Sequence, residues 1–148
     1  MTFKSWIYDH FIADKYDGEL EEYTQGFRQI CADRVGIKEG DVVLDLGCDT
    51  PVDAVLATLI FSVVPNWREV FDLSFQTLKP GGRYGVMDNY WPKPTLRLWF
   101  GSWSFAANPK RPGFEPLQLH TEDFVLEYHP PDEESQFYVA HGTKDPTP

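Results

Sequence analysis

Apolar positions recur at helical spacing over Tyr16, Leu20, Tyr23, Phe27, Ile30 and Cys31. They predict one face of a helix, with Gly36 as its C-terminal stop. A turn at Lys38-Glu39-Gly40-Asp41 leads into Val42-Val43-Leu44-Asp45-Leu46. That run is apolar except at Asp45, the pattern of a strand buried on both faces. Residues 52–64 hold a second buried strand, centred on Ala54-Val55-Leu56-Ala57. After Pro65 the period returns to that of a helix, with Trp67, Val70, Phe71, Phe75 and Leu78 on one side. Asn66 stands at its N-cap, and Glu69 three residues on completes a capping box. Lys79-Pro80-Gly81-Gly82 ends this helix, and residues 83–88 read as a third strand.

Ten of the 12 prolines fall at or after Pro80, so the second half reads as shorter pieces joined by turns. Residues 95–107 predict a helix with Leu96, Leu98, Trp99, Phe100, Trp103 and Phe105 on nearly every side. A helix apolar all round is buried or faces a ligand or partner. Residues 108–116 read as loop. Residues 124–128 and 136–140 read as two strands of an antiparallel hairpin, joined by the turn 130–135. The expected class is α/β, with a mostly parallel sheet, a C-terminal antiparallel hairpin and an N-terminal helical segment. One domain spans 1–148: helical over 1–36, a sheet and helix core over 42–88, then the aromatic helix and hairpin over 93–143.

Composition narrows the function. The chain has 148 residues, 42% apolar and 16% aromatic, enough for a packed core and one domain. Its net charge of −10 repels phosphate backbones and anionic membranes, so no nucleic-acid surface is expected. Two cysteines, Cys31 and Cys48, make no disulfide framework, and a reduced, cytoplasmic setting is expected. The N-terminal pattern is not basic-then-apolar, so no signal peptide is expected. The longest nearly apolar run, 54–64, is far shorter than the roughly 18–20 residues of a membrane span, so none is expected. The four histidines show no metal-ligand spacing, and no metal site is expected.

Val42-Val43-Leu44-Asp45-Leu46-Gly47-Cys48 resembles the first motif of the class I S-adenosylmethionine-dependent methyltransferases, a strand ending in D-x-G-x-G-x-G. A glycine turn there lets backbone approach a nucleotide-like cofactor closely. Pro51-Val52-Asp53-Ala54-Val55, then Ser62-Val63-Val64-Pro65-Asn66-Trp67-Arg68-Glu69, then Leu78-Lys79-Pro80-Gly81-Gly82-Arg83 resemble the family's fourth strand, its helix and its fifth strand. Tyr8-Asp9 and Tyr16-Asp17 look like its opening helix, and the final hairpin like its antiparallel strands. The resemblance implies a Rossmann-like sheet with the first and fourth strands as parallel neighbours, and S-adenosylmethionine as cofactor. It implies Tyr16, Asp45, Gly47, Cys48 and Thr58 at the cofactor. Asp88, Asn89, Trp99 and Trp103 would face the acceptor, a small apolar or amphipathic molecule, quinone- or lipid-like. From the residues alone, Asp88-Asn89 reads equally as a strand-end turn, and Cys48 as a small buried residue.

The chain also departs from the pattern. Gly47-Cys48-Asp49-Thr50-Pro51 stands where the family has three glycines. The second and third strands and their helices have no counterpart, and neither does the acidic residue that holds the ribose. Asp72 falls in mid-helix and does not replace it. A shortened sheet with weak or lost cofactor affinity is expected. A non-catalytic, folded interaction module is the alternative. The first strand also loses its outer neighbour and carries no lysine or proline to protect it, so a homodimer by edge pairing or exchange is expected.

Overall fold

The computed structural model describes residues 21–44, 51–91, 107–129 and 137–146. In chain order these form α1 (Glu21–Val35), β1 (Val43–Leu44), β2 (Val52–Thr58), α2 (Trp67–Thr77), β3 (Leu78–Asn89), α3 (Glu115–His120), β4 (Val125–His129) and β5 (Phe137–Thr143). The strands make one sheet in the order β1-β2-β3-β5-β4. β1 runs parallel to β2, and β2 to β3. β5 pairs antiparallel with both β3 and β4. The result is a mixed α/β sheet flanked by helices. Four strands share one direction, yet the one reversed strand lies inside the sheet, so half of the pairings are antiparallel. The expected antiparallel pair joins the sheet through β5, which lies beside β3 and leaves β4 outermost.

Each face of the sheet has its own core. On one, Val55, Ala57, Tyr84, Val86, Tyr138 and Ala140 pack under Trp67 and Phe71 of α2 and Leu117 of α3. On the other, Cys31 of α1 meets Met87, Phe137 and Val139, with Phe27, Ile30 and Leu56 at the margin. Two-residue alternation along β3 makes this possible, because Tyr84 and Val86 face α2 while Gly85 and Met87 face α1. Burying a large apolar side chain such as Phe71 contributes about 1.5–3 kcal/mol. Gly85 sets the approach of α1. A Cβ there would collide with Val35 Cγ2 and lie 3.0 Å from Cys31 Sγ. Burial pushes the Cys31 thiol up to about 12, so it stays protonated and inert.

The helix ends follow sequence logic with two corrections. Gly36 stops α1 at φ 65, its N–H donating to Ala32 O and Asp33 O. The capping box before α2 does not form. Asn66 makes no side-chain cap bond, and its amide donates instead to Glu69 Oε2 at 3.0 Å. The Lys79-Pro80-Gly81-Gly82 run is not the helix stop either, since α2 ends at Thr77 and Leu78 already pairs with Val52. The four residues bulge from β3 opposite Asp53, and pairing resumes at Ala54↔Arg83. Gly81 takes φ 75 in this bulge. Gly82 has no room for a side chain, because a Cβ would sit 2.9 Å from Lys79 O.

A third correction concerns 108–116. Turns do occupy 109–114, but α3 begins at Glu115, with Pro116 in its first turn. Six residues are too few for a hydrophobic period to be visible, and a proline at a helix start gives the same local signal as one in a loop. The expected helix 95–107 and the turn 130–135 lie outside the described residues. No described helix is long and apolar enough to cross a membrane.

Candidate functional site

In an open α/β sheet, ligands bind beyond the C-terminal ends of the parallel strands. Here that end is built from the tips of β2 and β3 and the segments that follow them. Leu59 extends the β2–β3 ladder by one bond, its N–H reaching Met87 O at 2.7 Å. Leu59 then turns the chain at φ 56, in the left-handed region that non-glycine residues avoid. The turn closes with the N–H groups of Val63 and Val64 on Ile60 O. It buries Phe61 and Ser62 and leaves Val63 exposed.

Asp88 fixes this turn to the sheet. It continues the Tyr84–Val86 row of β3 and is 1% exposed. Its Oδ2 accepts the Ser62 N–H at 2.9 Å, and its Oδ1 accepts the Asn89 N–H at 2.7 Å. Burial raises its titration above the ordinary carboxylate value, and these N–H donors only partly oppose that. The Ser62 hydroxyl acts in the same direction as the donors, without closing a hydrogen bond of ordinary geometry. Arg111 grips the turn from the other side. Its Nη1 donates to Phe61 O at 3.2 Å, Ser62 O at 3.4 Å and Val64 O at 2.5 Å. Asn108 N–H adds a bond to Ser62 O at 2.7 Å, and Trp91 N–H reaches Pro109 O at 2.8 Å. Ser62 Oγ, Trp91 Nε1 and Tyr138 Oη are buried here without hydrogen-bond partners. Gly113 lets the Tyr138 hydroxyl lie flush on the backbone, where a Cβ would stand 2.6 Å from it.

Of the residues expected at the cofactor, Tyr16, Asp45, Gly47 and Cys48 lie outside the described residues, as do Trp99 and Trp103 expected at the acceptor. Thr58 is the last residue of β2, half-buried and paired in register with Met87. Asn89 is half-buried at the end of β3. Asp88 sits at the expected strand end, but both of its oxygens are turned onto backbone N–H groups. Asp72 lies on the exposed side of α2, away from any strand tip. Among the described residues, then, the C-terminal end offers no free carboxylate of the kind a ribose diol would need. No group of three His, Cys, Asp or Glu side chains among the described residues is placed to hold a metal ion.

The sequence reading missed Leu59, Ser62, Arg111 and Tyr138. Only Asp88 carried a signal, an acid in an otherwise apolar alternating row. Arg111 is 50 positions from Phe61, and nothing local marks it as that residue's partner. No protein-family model and no curated protein matches this chain.

Proposed function

We propose that the chain is a shortened class I methyltransferase domain that transfers a methyl group from S-adenosylmethionine to a small apolar or amphipathic acceptor, quinone- or lipid-like. One observation carries the reading. β1, β2 and β3 are consecutive parallel neighbours, followed by an antiparallel pair on the far side. That is the arrangement the resemblance implies for the first, fourth and fifth strands and the closing hairpin. When bound, the cofactor supplies an activated methyl group, so the protein's work is to position the acceptor and exclude water. The turn 59–64, rigidly tied at the strand ends, suits that work. Weak cofactor affinity is expected from the sequence, where Gly47-Cys48-Asp49-Thr50-Pro51 replaces the family's three glycines and its ribose acid has no counterpart. Several charged hydrogen bonds at about 1.5–3 kcal/mol each would be lost relative to a complete site.

Calorimetric titration with S-adenosylmethionine and its demethylated product tests this. Weak binding, abolished in Gly47→Val with the fold retained, is the expected result, because a side chain at Gly47 would block close backbone approach. Equal affinity in both proteins removes the cofactor from that loop. No binding to either compound, even at millimolar concentration, refutes the enzyme reading for this chain.

A specific observation favours a second reading, a folded module that associates with a second copy. β1 closes one edge of the sheet, with Val42 48% and Val43 37% exposed. Parallel strands are normally buried on both faces. The acids beside this edge, Asp41 and Asp53, are paired with Arg83 and Lys79 rather than left free on it. Sedimentation equilibrium should give a dimer that Val43→Lys dissociates. A clean 17.1 kDa species in the native protein refutes it.

A further inference from the structure

The peptide unit joining Phe61 to Ser62 is held at both poles. Its N–H donates to Asp88 Oδ2 at 2.9 Å, and its C=O accepts from Arg111 Nη1 at 3.2 Å. An acid and a cation thus grip one peptide from opposite sides, and they make no ion pair with each other. The turn they grip is strained. Leu59 stands at φ 56, in the left-handed region that L side chains disfavour. Such a conformation persists only where the surroundings over-determine it.

Among the described residues, the groups around Asp88 are these. From the turn comes the Ser62 hydroxyl, and from β5 the phenol of Tyr138, its register partner. Tyr84 lies along the same row of β3, Tyr128 of β4 stands opposite Tyr138, and Arg111 reaches the site only through the peptide. No Lys, Arg or His among the described residues pairs with Asp88. A neutral acid sits in such a place at little cost, whereas a carboxylate exchanges water for the Ser62 hydroxyl, the N–H groups of Ser62, Asn89 and Phe61 and a peptide dipole, and burial still outweighs them. Burial accordingly raises the titration of Asp88, and burial followed by the Asp88 charge raises that of Tyr138. Opening the turn would give the carboxyl water and its ordinary acidity. By linkage, ionisation then favours the open turn and protonation the closed one.

We propose that Asp88, the 61–62 peptide and Arg111 form a proton-operated latch, which holds the turn 59–64 shut over the ends of β2 and β3 while Asp88 is protonated and loosens it on ionisation. The latch does not depend on the methyltransferase reading. It makes access to this end of the sheet pH-dependent, whatever binds there.

Amide hydrogen exchange on the full chain tests it, from about pH 4.5 to about pH 8.5 and corrected for intrinsic rates. Leu59 and Ser62 should lose at least about tenfold in protection as pH rises, while Val86 and Met87 keep theirs. In Asp88→Asn the protection of Leu59 and Ser62 should not vary with pH. The same pH dependence in both proteins, or a flat profile in the native one, overturns the latch. If Asp88→Asn does not fold, a carboxyl carbon-13 titration of the native protein decides. The turn amide shifts must follow the Asp88 carboxyl, and movement at an unrelated pH overturns the proposal.

Discussion

The two ends of the sheet handle charge in opposite ways. At the N-terminal end, Asp41 and Asp53 each pair with a cation. Arg83 pairs with Asp41 and also donates to Gly36 O. Lys79 Nζ meets Asp53 Oδ1 at 2.7 Å, while Asp53 Oδ2 accepts the Val42 N–H at 3.1 Å. These side chains remain partly exposed, so water shares the load. At the C-terminal end Asp88 is buried and, among the described residues, has no cation, and the nearby cation spends itself on carbonyls. The first arrangement closes each charge locally and fastens the α1–β1 turn to β3. The second leaves charge unbalanced beside a strained turn. Strain and unbalanced burial are costs that structures retain mainly at working sites. The contrast therefore sets an end whose charges close locally against one that carries strain and an unbalanced buried acid, the end to which the proposed function is tied.

The sharpest way to break this contrast is to remove one acid from each end. Asp88→Ala leaves the Ser62 and Asn89 N–H groups without acceptors, at about 1–3 kcal/mol each. The desolvation cost of the buried carboxyl disappears with it and offsets a part. The expected loss is about 2–4 kcal/mol near neutral pH, read from urea unfolding. Asp53→Ala should cost clearly less, because the Val42 N–H it frees lies in an exposed region where water can replace the carboxylate. Equal losses at the two ends would dissolve the distinction.

Much of the locally closed end was legible in the sequence, and little of the other. Periodicity marked α1, β2, α2 and the hairpin, because each buries one regular face. Gly36 signalled its stop through its backbone freedom. The Lys79-Pro80-Gly81-Gly82 run was visible as a turn, though its place inside β3 was not, since a bulge depends on the pairing partner and not on the bulged residues. The strained turn gave almost no signal. Leu59 is among the residues least expected at positive φ, and only tertiary bonds to Met87, Asp88 and Arg111 hold the segment. Those bonds join positions 26 and 50 apart, beyond any local pattern.

Acidity should divide the two ends by sign. Asp41 is held below the ordinary carboxylate value of 3.8, first by the Lys38 N–H and also by Arg83. Asp53 is lowered first by Lys79 and then by the Val42 N–H. Groups lowered on folding stabilise above 3.8, and that contribution is lost as pH falls through their folded values. Asp88 is raised, so its contribution is full below 3.8 and is lost as pH rises through its folded value. Urea midpoints over a pH series should therefore show Asp53→Asn closing its gap to the native protein as pH falls. Asp88→Asn should gain on the native protein as pH rises. Slopes of the same sign for both variants would mean that burial does not govern Asp88.

The smallest expected effect compares two cations that each bind three carbonyls. Arg111 does so around the strained turn. Lys144 does so at the C-terminus of α2, where Nζ donates to Phe75 O at 3.1 Å, Gln76 O at 3.4 Å and Leu78 O at 2.8 Å. Those carbonyls carry the negative end of the helix dipole, and the ammonium also lies 5.4 Å from the Phe75 ring. Lys144→Met keeps most of the stem and removes the charge, so about 1 kcal/mol should be lost. The loss should stay local. α2 is anchored by Trp67 and Phe71, and the Leu78 N–H still reaches Phe75 O, so only the last turn should exchange faster. Arg111→Met should instead release the whole of 59–64, because without its grip the positive φ of Leu59 has one support fewer and the turn can relax. Exchange rates measured in both variants would rank the two cations directly. Faster exchange at Leu59 in the Lys144 variant would show that the two ends of the sheet are coupled after all.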